Sequence, residues 1–205
     1  MGIIRIGTLY DFRNTEHNKG IADSQEGKKK VSHHINELHI ANSDDPNIKC
    51  NIDFSSLEKF GAVKLNGDVK NVTFRNVTVS KRFDVPDCYI LCTSKTCSKE
   101  TMHQFEGADS CVQIIEIESF YRALTDSLNS LTPVIFQGIY EVIYQDREET
   151  WNGRDWGRHP AVIKENDFIK QRELRAIWQP RCKNHILPVI IGNYRLGTFC
   201  RNVSI

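Results

Sequence analysis

From Val69 to Val79 the sequence VKNVTFRNVTV alternates, with Val69, Asn71, Thr73, Arg75, Val77 and Val79 on one side and Lys70, Val72, Phe74, Asn76 and Thr78 on the other. A period of two, rich in β-branched residues, is the pattern of a β-strand, and Asn66-Gly67 just before it is a turn signal. Similar runs recur. IIRIGTLYDF (3–12), CYILCTS (88–94), CVQIIEIESF (111–120) and VIFQGIYEVIYQ (134–145) read as strands, and a last apolar run, HILPVIIG (185–192), closes the fold. VSHHINELHI (31–40) fits either a strand or a short helix, ended by the turn residues of SDDPN. The best helical segment is SFYRALTDSLNSL (119–131), with Phe120, Leu124, Leu128 and Leu131 at helical spacing and Pro133 beyond its end. The expected class is α+β, built on mostly antiparallel sheets with few helices.

At 205 residues without a linker-like stretch, the chain reads as a single domain, 1–205. Its apolar runs are shorter than the ~18 residues a membrane span needs, and its start lacks the charged and apolar regions of a signal peptide. No membrane partner and a cytoplasmic location are therefore expected. Seven cysteines, an odd number in a chain of this size, fit reduced thiols. A formal net charge of +1 gives no bulk attraction to a polyanion, so such a partner needs a local patch.

Cys88, Cys92, Cys97, His103 and Cys111 lack paired knuckle spacing, and Cys88 and Cys92, on one face of a buried strand, read better as core filling than as zinc ligands. No metal site is expected. His33 and His34 point to opposite faces if their segment is a strand, and Lys28-Lys29-Lys30 suits a phosphate contact, although such a run is usually a solvated face. The loop TWNGRDWGRHP places Trp151 and Trp156 among Arg154, Arg158 and His159. That mixture suits base stacking and phosphate pairing, and it equally suits two rings folded back over a core.

FIKQRELRAIW (168–178) is the most unusual stretch. As a strand it puts Gln171, Glu173 and Arg175 on one face with Ile177, and Leu174, Ala176 and Trp178 on the other. An edge-strand ion pair from Glu173 to Arg175 or Arg172 accounts for this, and so does a helix capped by Asp167.

Gln171-Arg172-Glu173 resembles the Q-x-E motif of ADP-ribosyltransferases, and Thr93-Ser94 resembles the hydroxyl-bearing strand of that superfamily. RIGTLYDFRN, GIADSQEG, YILCTS and FIKQRELRAIW together resemble small bacterial proteins related to phage-defence and toxin ADP-ribosyltransferases. The resemblance implies an ADP-ribosyltransferase-like split sheet that clamps NAD as substrate. It implies Glu173 as the catalytic carboxylate and Gln171 as the residue that selects an acceptor other than arginine. Arg5, Gly7, Thr8, Tyr10, Thr93 and Ser94 are the implied cofactor-binding residues, although Arg5 stands two positions before Gly7 instead of next to it. Arg13, Asp23 and Glu26 match the same front segment, where turn and capping roles fit Asp23 and Glu26 equally well.

Trp151, Arg154 and Trp156 are the implied acceptor contacts. A further strand and helix precede the front segment in similar proteins, so a shortened cleft is expected here. The function implied is transfer of ADP-ribose to a macromolecular acceptor, nucleic acid or protein, by a toxin or antiviral defence effector with a neutralising partner protein. The alternative is a non-catalytic domain of the same fold that binds nucleic acid or protein. A metal-dependent hydrolase ranks last.

Overall fold

The computed structural model describes residues 2–14, 21–63, 70–182 and 185–204, and the expected Asn66-Gly67 turn lies outside them. In chain order the first strands are β1 (Ile3–Thr8), β2 (Lys28–Asn42), β3 (Lys70–Asp84), β4 (Tyr89–Ser94), β5 (Cys111–Ile114) and β6 (Val134–Glu141). They continue with β7 (Ile143–Tyr144), β8 (Glu148–Thr150), β9 (Ile163–Lys164), β10 (Glu173–Pro180), β11 (Val189–Gly192) and β12 (Cys200–Val203). The helices are α1 (Pro46–Lys49), α2 (Ile52–Lys59), α3 (Lys99–Met102), α4 (Ile117–Leu131) and α5 (Tyr194–Thr198). This is a mixed α+β fold with mostly antiparallel sheets and few helices. Among the described residues no helix is long and apolar enough to cross a membrane. The chain divides into two compact units, one of Met1–Gly27, Val85–Asp146 and Pro160–Ile205, the other of Lys28–Asp84 and Arg147–His159.

The first unit is built on a five-stranded sheet in the order β11-β1-β4-β10-β6, antiparallel throughout. One face of its centre carries Ile90 and Ile177, packed with Leu9, Cys88 and Ala161. The opposite face carries Tyr89, Ala176 and Trp178 against the stripe Phe120, Tyr121, Leu124 and Leu128 of α4. Each fully buried side chain in that stripe contributes about 1.5–3 kcal/mol. The Trp178 indole N–H donates to Thr125 Oγ1 on α4 at 2.8 Å, so the buried ring leaves no orphan donor.

The strand expected over 111–120 stops at Ile114, and the helix expected from 119 begins at Ile117. The Ile-Glu repeat of 114–118 looks like a strand, but Ile115 and Ile117 are both exposed and have no sheet face to bury. The helical spacing of Phe120, Leu124 and Leu128 has a core to enter and extends the helix back by half a turn.

The second unit is the long antiparallel pair β2 and β3, with β8 added parallel to β2. VSHHINELHI is therefore strand. Its core is Ile35, Leu38, Ile40, Phe54, Leu57 and Val79. The alternation that predicts β3 does not survive along its whole length. Val77 and Val79 pack on this core, but so does Phe74, of the opposite parity. In β2 the buried side changes likewise, from Val31 and Ile35 to Leu38 and Ile40. The switch lies between the pairs Ile35↔Val77 and Glu37↔Arg75, where Asn76 takes a left-handed φ of 52°. Asparagine tolerates that region and rotates the strand there without a change in register.

Helix α2 had no counterpart in the sequence reading. Asn51 caps it, with Oδ1 accepting from Asp53 N at 2.8 Å and Phe54 N at 3.2 Å, and Phe54 and Leu57 enter the core. The lysine run is not simply solvated either. Lys29 is buried, and its ammonium meets Glu149 at 3.3 Å and donates to the Trp156 carbonyl. His33 and His34 do take opposite sides, His33 Nε2 lying 2.6 Å from Asp53 Oδ1 and His34 beside Thr78.

Candidate functional site

The stretch 168–178 is not one strand. Asn166–Gln171 form a 3₁₀ turn, Arg172 takes a left-handed φ of 45°, and only from Glu173 does the chain enter β10. Nor is β10 an edge, because β4 and β6 flank it. Glu173 and Arg175 therefore sit inside the sheet, with Gln171 in the turn that precedes it. Gln171 and Glu173 meet because the turn folds back, and both reach the Lys164 ammonium of β9. Lys164 Nζ donates to Gln171 Oε1 at 2.8 Å and to Glu173 Oε2 at 3.0 Å.

Arg175 completes the cluster. Its Nε donates to Glu173 Oε1 at 2.6 Å, while Nη1 and Nη2 grip both oxygens of Glu26 at 2.6 and 2.9 Å. Nη1 also donates to the Ala161 carbonyl at 2.6 Å. Glu26, Lys164, Gln171, Glu173 and Arg175 are all buried, none more than 4% exposed. Two carboxylates and two cations balance, so the cluster is neutral as a whole and each charge has a counterion at hydrogen-bond distance.

Burial alone would raise the Glu173 pKa, but the Arg175 guanidinium and then the Lys164 ammonium outweigh it and bring it down to about 2. Glu173 is an anion at every physiological pH. Burial works against the Arg175 charge as well, and Glu173 with Glu26 overcomes it, holding the guanidinium protonated. The Glu173 N–H donates to the Tyr144 hydroxyl at 2.8 Å, and burial pushes that phenol up.

These groups line a cavity of about 770 Å³, within the range of small-molecule sites. Gln171, Glu173, Lys164, Arg175, Thr93 and Ser94 are all on its wall, with Glu26, Phe12, Phe105 and Tyr121. Ser94 pairs directly with Glu173 and Cys92 with Arg175, so these four share one face, whereas Thr93 pairs with Leu174 on the other.

Arg5, Gly7, Thr8 and Tyr10 are not on that wall. Arg5 is half-exposed and pairs with Asp11 at 2.6 Å. A Cβ on Gly7 would sit 2.8 Å from the Phe12 ring, which accounts for a glycine there by packing. Buried Thr8 accepts the Asp11 N–H at 3.1 Å, and the exposed Tyr10 ring lies under the Arg13 guanidinium at 4.1 Å. Asp23 closes a turn, its Oδ1 accepting from Gln25 N at 3.0 Å.

Trp151, Arg154 and Trp156 belong to the second unit. Trp151 is 4% exposed, with its ring edge-on to Phe60 and His33. Trp156 is half-buried between Phe60 and Phe83, under the Lys81 ammonium at 4.5 Å, and Arg154 is exposed. The rings fold back on their own unit.

The sequence reading missed Lys164 altogether and gave Glu26 no chemistry. No group of three or more His, Cys, Asp or Glu side chains among the described residues is placed to hold a metal ion. No family model, curated protein or solved structure matches the chain.

Proposed function

We propose that the chain is an NAD-dependent ADP-ribosyltransferase whose catalytic carboxylate is Glu173. One observation carries the reading: a carboxylate held ionised at physiological pH lines a cavity of ligand size, with Gln171 on the same wall and Ser94 as its partner across the sheet. In the reaction, the bond from ribose C1′ to the nicotinamide nitrogen breaks and its electron pair leaves with nicotinamide. The sugar becomes oxocarbenium-like, and an acceptor oxygen or nitrogen bonds to C1′ as its proton is lost. A fixed anion favours the positive charge that develops. Glu173 is prepared for this without reorganisation, since Arg175 and Lys164 hold both its oxygens.

The acceptor is macromolecular, with nucleic acid the first candidate, and the biological setting is a toxin or phage-defence effector with a neutralising partner. Incubation with NAD labelled in the adenosine half should release nicotinamide and label the acceptor, and Glu173→Gln should abolish both in protein still folded by circular dichroism. Wild-type protein that neither binds nor consumes NAD would remove the proposal.

A second reading rests on the neutrality of the cluster. With each charge already countered, the network can serve as a polar clamp that joins β9, β10 and the Glu26 turn, in a domain that binds without turnover. Lys164→Met separates the two. A clamp alone predicts loss of stability with ligand affinity unchanged in the folded fraction, whereas the enzyme loses turnover as well.

A further inference from the structure

Cys97 and Cys111 lie outside the charge cluster, on the wall of the same cavity. Their sulfurs are 3.7 Å apart, Cys97 exposed and Cys111 half-buried. Their segments are held in place independently. Cys111 opens β5, which pairs along β12 with Val203 opposite it. Cys97 precedes α3, where Ser98 caps the Thr101 N–H at 3.2 Å, and Thr101 Oγ1 donates to the Lys170 carbonyl at 3.2 Å. Lys170 adjoins Gln171, so the Cys97 segment is tied to the turn that carries the amide of the candidate site.

We propose that Cys97 and Cys111 are a redox modification site, closing to a reversible disulfide that staples this wall of the cavity. An S–S bond is about 2.05 Å, so rotation of the exposed Cys97 side chain covers most of the closure and β5 stays in its ladder. The oxidant is a peroxide or a small disulfide such as oxidised glutathione. With hydrogen peroxide, the Cys97 thiolate attacks one oxygen to give a sulfenic acid and the first water. The Cys111 thiolate then attacks that sulfur, the S–S bond forms and the second water leaves with the remaining thiol proton. Two sulfurs lose two electrons and the peroxide gains them. A dithiol reductant reverses the step.

Cys97 is the attacking thiol because it is the exposed one, whereas burial and the neighbouring Cys97 raise the Cys111 thiol. The remaining cysteines do not compete as a pair, since among the described residues no other two sulfurs are in contact. The crosslink is independent of what the cavity binds. Its effect on NAD turnover rests on the function proposed above.

Trypsin cuts after Lys95, Lys99 and Arg122, which separates the two cysteines into peptides 96–99 and 100–122. Native protein is treated with oxidised glutathione or dilute peroxide, alkylated and digested. A linked pair of those peptides is expected, lighter by two hydrogens than their sum and released by reductant. Cys97→Ser and Cys111→Ser should each abolish it, and Cys92→Ser should leave it intact. Oxidation should also raise the melting temperature of the wild type by roughly 5 °C, and of neither single variant. Glutathione adducts on Cys97 or Cys111 without the linked pair would overturn the proposal, and so would a linked pair that forms only in denaturant. Retained linkage in a chain with no NAD activity leaves this site standing and removes only the catalytic reading.

Discussion

Replacing Glu173 by Gln keeps the shape of the side chain and removes its charge, so the variant mimics the protonated acid. In the native protein this carboxyl titrates near 2, against an ordinary value of 4.5. Between those values the unfolded chain binds more protons than the folded one, so stability rises with pH across that window. The contribution is complete above about 4.5 and disappears as pH falls through about 2. A difference of about 2.5 in pKa corresponds to about 3 kcal/mol, the scale expected for breaking a buried pair. Urea unfolding of wild type and Glu173→Gln, followed by fluorescence from pH 7 down to about 2, should show a gap of about 3 kcal/mol at neutral pH. The two curves should converge at the acid end. A gap that stays flat with pH, or one below about 1 kcal/mol at pH 7, would mean that Arg175 and Lys164 do not hold the carboxylate as described.

Arg175→Met leaves the buried Glu26 carboxylate without its guanidinium and Glu173 with Lys164 alone, and should destabilise the first unit by about 3–5 kcal/mol in the same denaturation assay. Thr125→Val strands the Trp178 indole N–H and should cost about 1–3 kcal/mol. Asn51→Ala removes the cap of α2 and should cost about 1 kcal/mol, with protection of the Asp53 and Phe54 amides against hydrogen exchange lost first. The Cys88 thiol is pushed up to about 12 by burial, so it should resist iodoacetamide at mildly alkaline pH until the protein unfolds, as peptide mass mapping would report.

Where the burial pattern is local, the sequence announces the structure. Phe120, Leu124 and Leu128 predict α4, and Glu173, Arg175 and Ile177 share a face of β10 as their spacing requires. The failures lie where a local pattern meets a non-local condition. Ile115 and Ile117 alternate as a strand does but have no face to bury, and Asn76 turns over a strand whose alternation looked unbroken. Helix α2 stayed hidden because its eight residues bury only Phe54, Ser56 and Leu57, too few for a periodic signal.

The candidate site was legible by half, and the division has one physical cause. Gln171 and Glu173 are two positions apart, and a motif can flag them. The groups that determine what Glu173 is come from elsewhere: Lys164 from a two-residue strand, and Glu26 from a turn 149 positions away from the arginine it grips. No periodicity marks either residue, because each was selected by the charge it must meet and not by the element it occupies. A buried carboxylate cannot stay ionised without such partners, so Glu173 on an interior strand already required at least one cation within hydrogen-bond reach. Arg175 was the visible candidate. Burying an arginine with its fork only half-filled carries a penalty of its own, which is why the second carboxylate follows from the first, and Glu26 supplies it through both oxygens.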